Sequence, residues 1–175
     1  MTSTEVSADL IEWAALARYD YKVIGDSVRF STPGGGICVY IRPSDLDEDW
    51  ITVSESERGG SEENYIFSAG TLATVEKYFW VDFGFEIRMG RGLPRLIFPV
   101  GPGQISPGYF VAAVGADTLE LRDSYLNAVA RAPDGLTGRS LLVKVSNFLD
   151  YSPEELRASY LDPKGHPIFP RNKAT

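Results

Sequence analysis

One histidine, His166, and one cysteine, Cys38, lie far apart in a chain of 175 residues. That is a thin inventory for nucleophilic catalysis, and a zinc site with several thiolate or imidazole ligands cannot be built from it. His166 sits in the proline-bracketed turn Gly165-His166-Pro167, which favours a surface or packing role. Cys38 lies in the apolar run Ile37-Cys38-Val39-Tyr40-Ile41, the setting of a buried, inert thiol. Glycosidase chemistry needs two carboxylates, but with 24 acids in the chain any chosen pair is uninformative. The alternating Asp45, Asp47 and Asp49 resemble the start of a calcium loop, yet the central glycine and closing glutamate are out of place. Thr32-Pro33-Gly34-Gly35-Gly36 is glycine-rich but precedes neither a helical pattern nor Lys-Ser/Thr, so it does not read as a phosphate cradle. It reads as a hairpin tip whose backbone can approach a partner closely. Arg88, Arg91 and Arg95 allow either an anion site or pairing with acids of the same protein, and pairing is the favoured reading. No catalytic residue, metal or cofactor is assigned.

The chemistry that remains is binding. Between Asp45 and Glu63 there are eight acids and a single base, Arg58. Their net charge equals the whole chain's −7, so the rest of the sequence is neutral overall. Charge this localised focuses a field able to steer a basic partner or mimic a polyanion, although a solvated acidic loop would look the same. Trp50 closes the run Asp47-Glu48-Asp49. An aromatic beside acids is the composition of a contact centre facing a basic cleft, or of a strand-opening core residue. The candidate partner-binding residues are Gly34, Gly35, Gly36, Asp45, Asp47, Glu48, Asp49, Trp50, Glu55, Glu57 and Arg58.

These residues need elements to position them. Ser7 caps an expected helix through Ala17, with Leu10, Ile11, Ala14 and Ala17 on one face. Strands are expected at Tyr21 to Ile24, Ser27 to Ser31, Ile37 to Arg42, Trp50 to Ser54 and Asn64 to Ser68. Turns fall at Gly25-Asp26, Pro33 to Gly36 and Arg58 to Ser61. Thr71 caps a second helix that Gly84 ends. Strands follow at Phe85 to Met89 and Arg95 to Val100, then a hairpin of Tyr109 to Val114 and Leu119 to Arg122. Arg139 to Tyr151 has helical periodicity. Ser152-Pro153-Glu154-Glu155 is a capping box with proline at the first helical position.

A run of strands after one helix, with helices gathered toward the end, indicates an α+β fold. We expect a single domain over residues 1–175, with a mostly antiparallel sheet and flanking helices. The 43% hydrophobic fraction is that of a folded protein. The N-terminus lacks a signal-peptide pattern and no apolar run is long enough to span a membrane, so a cytoplasmic location is expected. A pI near 4.8 argues against nucleic-acid binding.

From Leu72 to Phe169 the order of features is familiar. Val75-Glu76-Lys77-Tyr78-Phe79 is followed by Glu86-Ile87-Arg88, Gly92-Leu93-Pro94-Arg95-Leu96 and Leu149-Asp150. The closing stretch is Ser159-Tyr160-Leu161-Asp162-Pro163-Lys164-Gly165-His166-Pro167-Ile168-Phe169. This resembles the bacterial polymorphic-toxin immunity proteins, the family that includes the mycobacterial immunity factor for tuberculosis necrotizing toxin. The resemblance implies an antitoxin that binds a secreted toxin one to one inside the producing cell. It also implies action by occlusion, not catalysis, with an NAD-hydrolysing toxin as the expected partner. The residues themselves leave two alternatives open: an acidic nucleic-acid mimic inhibiting a nuclease-type toxin, or a small hydrolase using carboxylates.

Overall fold

Alternation of apolar and small polar residues marks out the strands of this chain. In the computed structural model, which describes residues 4–45, 47, 49–58 and 62–169, eight strands form one antiparallel sheet. Helix α1 (Ala8–Leu16) precedes the meander β1 (Asp20–Ile24), β2 (Ser27–Ser31), β3 (Ile37–Pro43), β4 (Ile51–Glu57) and β5 (Asn64–Ala69). Helix α2 (Leu72–Gly90) leads to β6 (Tyr109–Ala113), β7 (Thr118–Asp123) and β8 (Ala128–Pro133), followed by α3 (Leu136–Phe148) and α4 (Pro153–Leu161). The strand order is β1-β2-β3-β4-β5-β8-β7-β6, so the two meanders meet where β5 pairs with β8. That seam is short: Ser68 opposes Arg131 and Ala69 opposes Ala130.

Period-two alternation assigns the faces. Val28, Phe30, Val39, Ile41, Ile51, Val53, Phe67, Ala69, Leu119, Leu121, Ala130 and Ala132 are buried on the helix-covered face. Helix α2 lies over β4 and β5, and α3 over β6 to β8. Rings dominate the contact: Phe30 meets Phe79 at 5.6 Å and Phe83 at 5.1 Å between centroids, and Tyr19 meets Phe83 at 4.8 Å. Helix α1 docks through Trp13, whose indole N–H donates to the Trp80 carbonyl at 3.0 Å.

The α+β class, the five N-terminal strands, the β6–β7 hairpin and the caps at Ser7, Thr71 and Ser152 agree with the expectations from sequence. Ser152 accepts from the Glu155 N–H at 3.2 Å, and the Glu155 carboxylate accepts from the Ser152 N–H at 2.8 Å.

Four expectations are corrected. Gly84 does not end α2. It sits mid-helix where a Cβ would lie 2.5 Å from the Tyr160 ring, so it is glycine to let α4 approach. Phe85 to Met89 is therefore helix, not strand; α2 is apolar over much of its circumference because sheet, α1 and α4 all cover it. Arg95 to Val100 is not a strand but part of an irregular connection. Its anchor is Phe98, packed against the rings of Phe148 and Phe169 at 5.9 and 5.0 Å. Helix α3 starts and ends about three residues earlier than its periodicity implied. Strand β8 was not foreseen at all.

Candidate functional site

The sheet face away from the helices is built of small polar residues overlaid by long charged ones. Cys38, Ser54, Ser56 and Ser68 lie low on it, buried beneath Arg29, Tyr40, Arg42 and Arg131. Arg42 lies 5.1 Å from the Tyr40 ring centre and reaches Glu63 at 2.8 Å. Ser54 donates to the same carboxylate at 2.6 Å. Burial alone would raise the Glu63 pKa, but these two partners outweigh it and hold it below the usual range.

A second network spans the β5–β8 seam. The Arg131 guanidinium stacks 4.1 Å over Trp50 and pairs with Asp47. Its Nε donates to Glu120 at 2.7 Å, and Arg122 holds the other Glu120 oxygen at 2.6 Å. Glu120 is only 2% exposed. Burial opposes its charge, yet the two arginines hold its pKa below the usual carboxylate range. Beside this network a groove of about 550 Å³ opens between the β3–β4 connection and the seam, lined by Ser44, Asp45, Asp47, Thr52, Ser68 and Arg131.

The expected binding residues fall in three places. Asp45, Asp47, Asp49 and Trp50 gather at the β3–β4 connection; Asp45 and Asp49 are exposed, while Asp47 and Trp50 are half-buried against Arg131. Glu48 lies outside the described residues. At the other end of β3, about 20 Å away by strand rise, Gly34, Gly35 and Gly36 form the β2–β3 tip. There the Arg58 N–H donates to the Gly36 carbonyl at 2.8 Å, and Glu57 opposes Ile37. Gly34 and Gly35 have φ of 78° and 70°, which glycine adopts without strain. Glu55 joins neither group. It points to the helix side, where burial, then the nearby Asp82 and Glu57, raise its pKa.

Arg42, Glu120, Arg122 and Arg131 were not foreseen as site residues. The one local signal is Ala130-Arg131-Ala132, where alternation puts the arginine opposite the buried alanines. Arg88 corrects the expectation of an anion site or a carboxylate partner. It is buried and donates to backbone carbonyls: Pro94 at 2.8 Å, Tyr160 at 3.1 Å, Asp162 at 2.6 Å and Pro163 at 3.1 Å. Cys38 is buried and His166 exposed. No group of three or more potential metal ligands occurs among the described residues.

The face away from the helices is thus a polar sheet surface whose buried carboxylate and arginines are paired with one another. The sequence pattern of the family described as immunity protein 61 matches residues 13–168. The chain belongs to that family. The immunity factor for TNT of Mycobacterium tuberculosis (strain ATCC 25618 / H37Rv) is 29% identical over 172 residues, covering 94% of this chain and 93% of the relative. Its homologue in Mycobacterium bovis (strain BCG / Pasteur 1173P2) matches to the same extent. The solved structure of Rv3902c from M. tuberculosis superposes with a TM-score of 0.83 at 27% identity, covering 96% of each chain.

In this immunity protein the motif-bearing stretch, Ser159 to Phe169, is framework. The Ser159 hydroxyl accepts from the Ile168 N–H at 3.0 Å. The Asp162 carboxylate accepts from the N–H groups of Lys164 and His166 at 2.8 and 3.0 Å. The backbone bond from His166, despite some desolvation, leads the effects that lower the Asp162 pKa.

Proposed function

We propose that this immunity protein neutralises a cognate secreted toxin of the NAD-hydrolysing kind by binding it one to one and occluding its active site, without catalysis of its own, in the cytoplasm of the producing cell. The observation that carries this is the match to the M. tuberculosis immunity factor for TNT over nearly the full length of both chains. No described helix is long and apolar enough to cross a membrane. The toxin-facing surface in this reading is the polar sheet face with its rim at Asp45, Asp47, Asp49 and Trp50. The tips at Gly34, Gly35, Gly36, Glu57 and Arg58 form its far edge.

The test is NAD hydrolysis by a TNT-type toxin domain from the same source, titrated with this protein. A sharp endpoint at equimolar inhibitor is expected; undiminished hydrolysis with no complex would overturn the reading. Reversing charge at Asp45, Asp47 and Asp49 together should slow association at least tenfold at low salt, with the difference shrinking as salt screens the field. Equal association rates for both proteins would remove this rim from the interface.

A further inference from the structure

On the helix side, away from the toxin-facing surface proposed above, a cavity of about 320 Å³ opens between α2, α3, α4 and the connection after α2. Its walls are the apolar bodies of Phe85, Leu96, Phe98 and Tyr160, and two charged side chains enter it, Asp82 from α2 and Lys144 from α3. The two attract each other electrostatically, but no hydrogen bond or close ion pair joins them. Lys144 lies 5.8 Å from the Tyr78 ring centre, and neither half-buried charge has a hydrogen-bonding or ion-pairing partner, an arrangement that costs stability unless something fills the gap. Burial raises the Asp82 pKa, against which Lys144 acts and to which Glu86 adds; burial likewise lowers that of Lys144.

We propose that this cavity binds a small zwitterion with an apolar side chain, the chemistry of a free α-amino acid such as leucine or phenylalanine, its ammonium on Asp82 and its carboxylate on Lys144. Three features select that class. The pair lining the cavity is neutral overall, so a zwitterion satisfies both groups without leaving a net charge in a low-dielectric site. A ligand carrying one charge satisfies one group and strands the other. The remaining wall is aromatic and aliphatic, and the volume corresponds to about ten water-sized units, the scale of a molecule of roughly ten heavy atoms. Glu86 and Glu55 lie outside the cavity wall and add negative potential near Asp82, which orients the ammonium to that side. Among the described residues no serine, threonine, cysteine or histidine lines the cavity, so the site is built to hold and not to react.

The test uses the free, full chain and needs no toxin. L-leucine and L-phenylalanine are titrated into labelled protein and followed by amide chemical shifts and calorimetry, beside glycine, N-acetyl-leucine and leucine amide. The expected result is saturable shifts centred on residues 81–85, 96–98 and 144 for leucine and phenylalanine. Binding should be at least tenfold weaker for the analogues lacking the ammonium, the carboxylate or the side chain. Asp82→Asn and Lys144→Met should each weaken leucine binding at least tenfold. Absence of shifts at these residues with 10 mM leucine, or equal binding of leucine and its two blocked analogues, would overturn the proposal. Because the ligand series runs on the unaltered protein, a variant that fails to fold does not decide the outcome.

Discussion

Arg88 shows how little a residue's type reveals of its use. A buried guanidinium ordinarily needs a carboxylate, and this one is satisfied by backbone carbonyls from the ends of α4 and the turn after α2. Arg88→Ala should lower stability by about 3 kcal/mol in urea unfolding, because several carbonyls lose a charged donor at once. Arg88→Lys should recover less than half of that loss, since an ammonium cannot reproduce the planar fork. Charged groups elsewhere set the pH dependence, and they act in opposite directions. Glu63 and Glu120 have lowered pKa values in the folded state. Their contribution is present above the ordinary carboxylate range and is lost as pH falls through the lowered values. Glu55 and Asp82 are raised, chiefly by burial. The folded state holds their protons more tightly, so stability drops as pH rises from the ordinary range through the raised values. Asp82→Asn should therefore be more stable than the parent at neutral pH, with the difference vanishing below about pH 4. A constant difference across that range, in unfolding measured at several pH values, would contradict the assignment.

Elements were readable where local chemistry decides them. The first four hairpin connections carry glycine, proline or acidic turn residues between alternating strands, and the caps carry hydroxyls. Elements were misread where a distant neighbour decides. Gly84 looks like a helix stop until Tyr160 is placed against it. Arg95 to Val100 alternates like a strand, but proline at both ends and burial of Phe98 under α3 make it a strap. Strand β8, with its alanines and Pro133, has weak strand propensity and exists because β5 and β7 flank it. The join between β8 and α3 is tight. A Cβ on Gly138 would lie 1.9 Å from the Pro133 carbonyl oxygen and 3.3 Å from the Ala132 methyl. Helix propensity gains up to about 1 kcal/mol from Gly138→Ala, but overpacking against backbone costs about 1–3 kcal/mol or more. The expected net result is a loss of about 2 kcal/mol in urea unfolding.

At the scale of the molecule, the site belongs to no single meander. The groove is lined by the β3–β4 connection and β4–β5 on one side and by Val114, Thr118 and Arg131 of the second meander on the other, brought together by a seam of two residue pairs. That is why the acids were visible in sequence and their partner Arg131 was not: the ion pair of Asp47 and Arg131 joins residues 84 apart. Arg131→Ala removes the Trp50 stack and both carboxylate contacts, leaving Glu120 buried with Arg122 alone. Stability should fall by about 2 kcal/mol, and unfolding followed by tryptophan fluorescence should shift together with that followed by circular dichroism. Fluorescence changing alone would mean that the seam is a local ornament.

The seam also sets a clock. Strands β1 to β5 pair with sequence neighbours and are complete once residue 69 is made, but β5 waits for β8, roughly 60 residues later. At about 5–20 residues per second, a ribosome needs about three to twelve seconds to supply it. For that interval β5 is a bare edge on a growing chain. The moment of greatest exposure to misassociation therefore precedes the finished inhibitor, and co-translational chaperones have their clearest opening there.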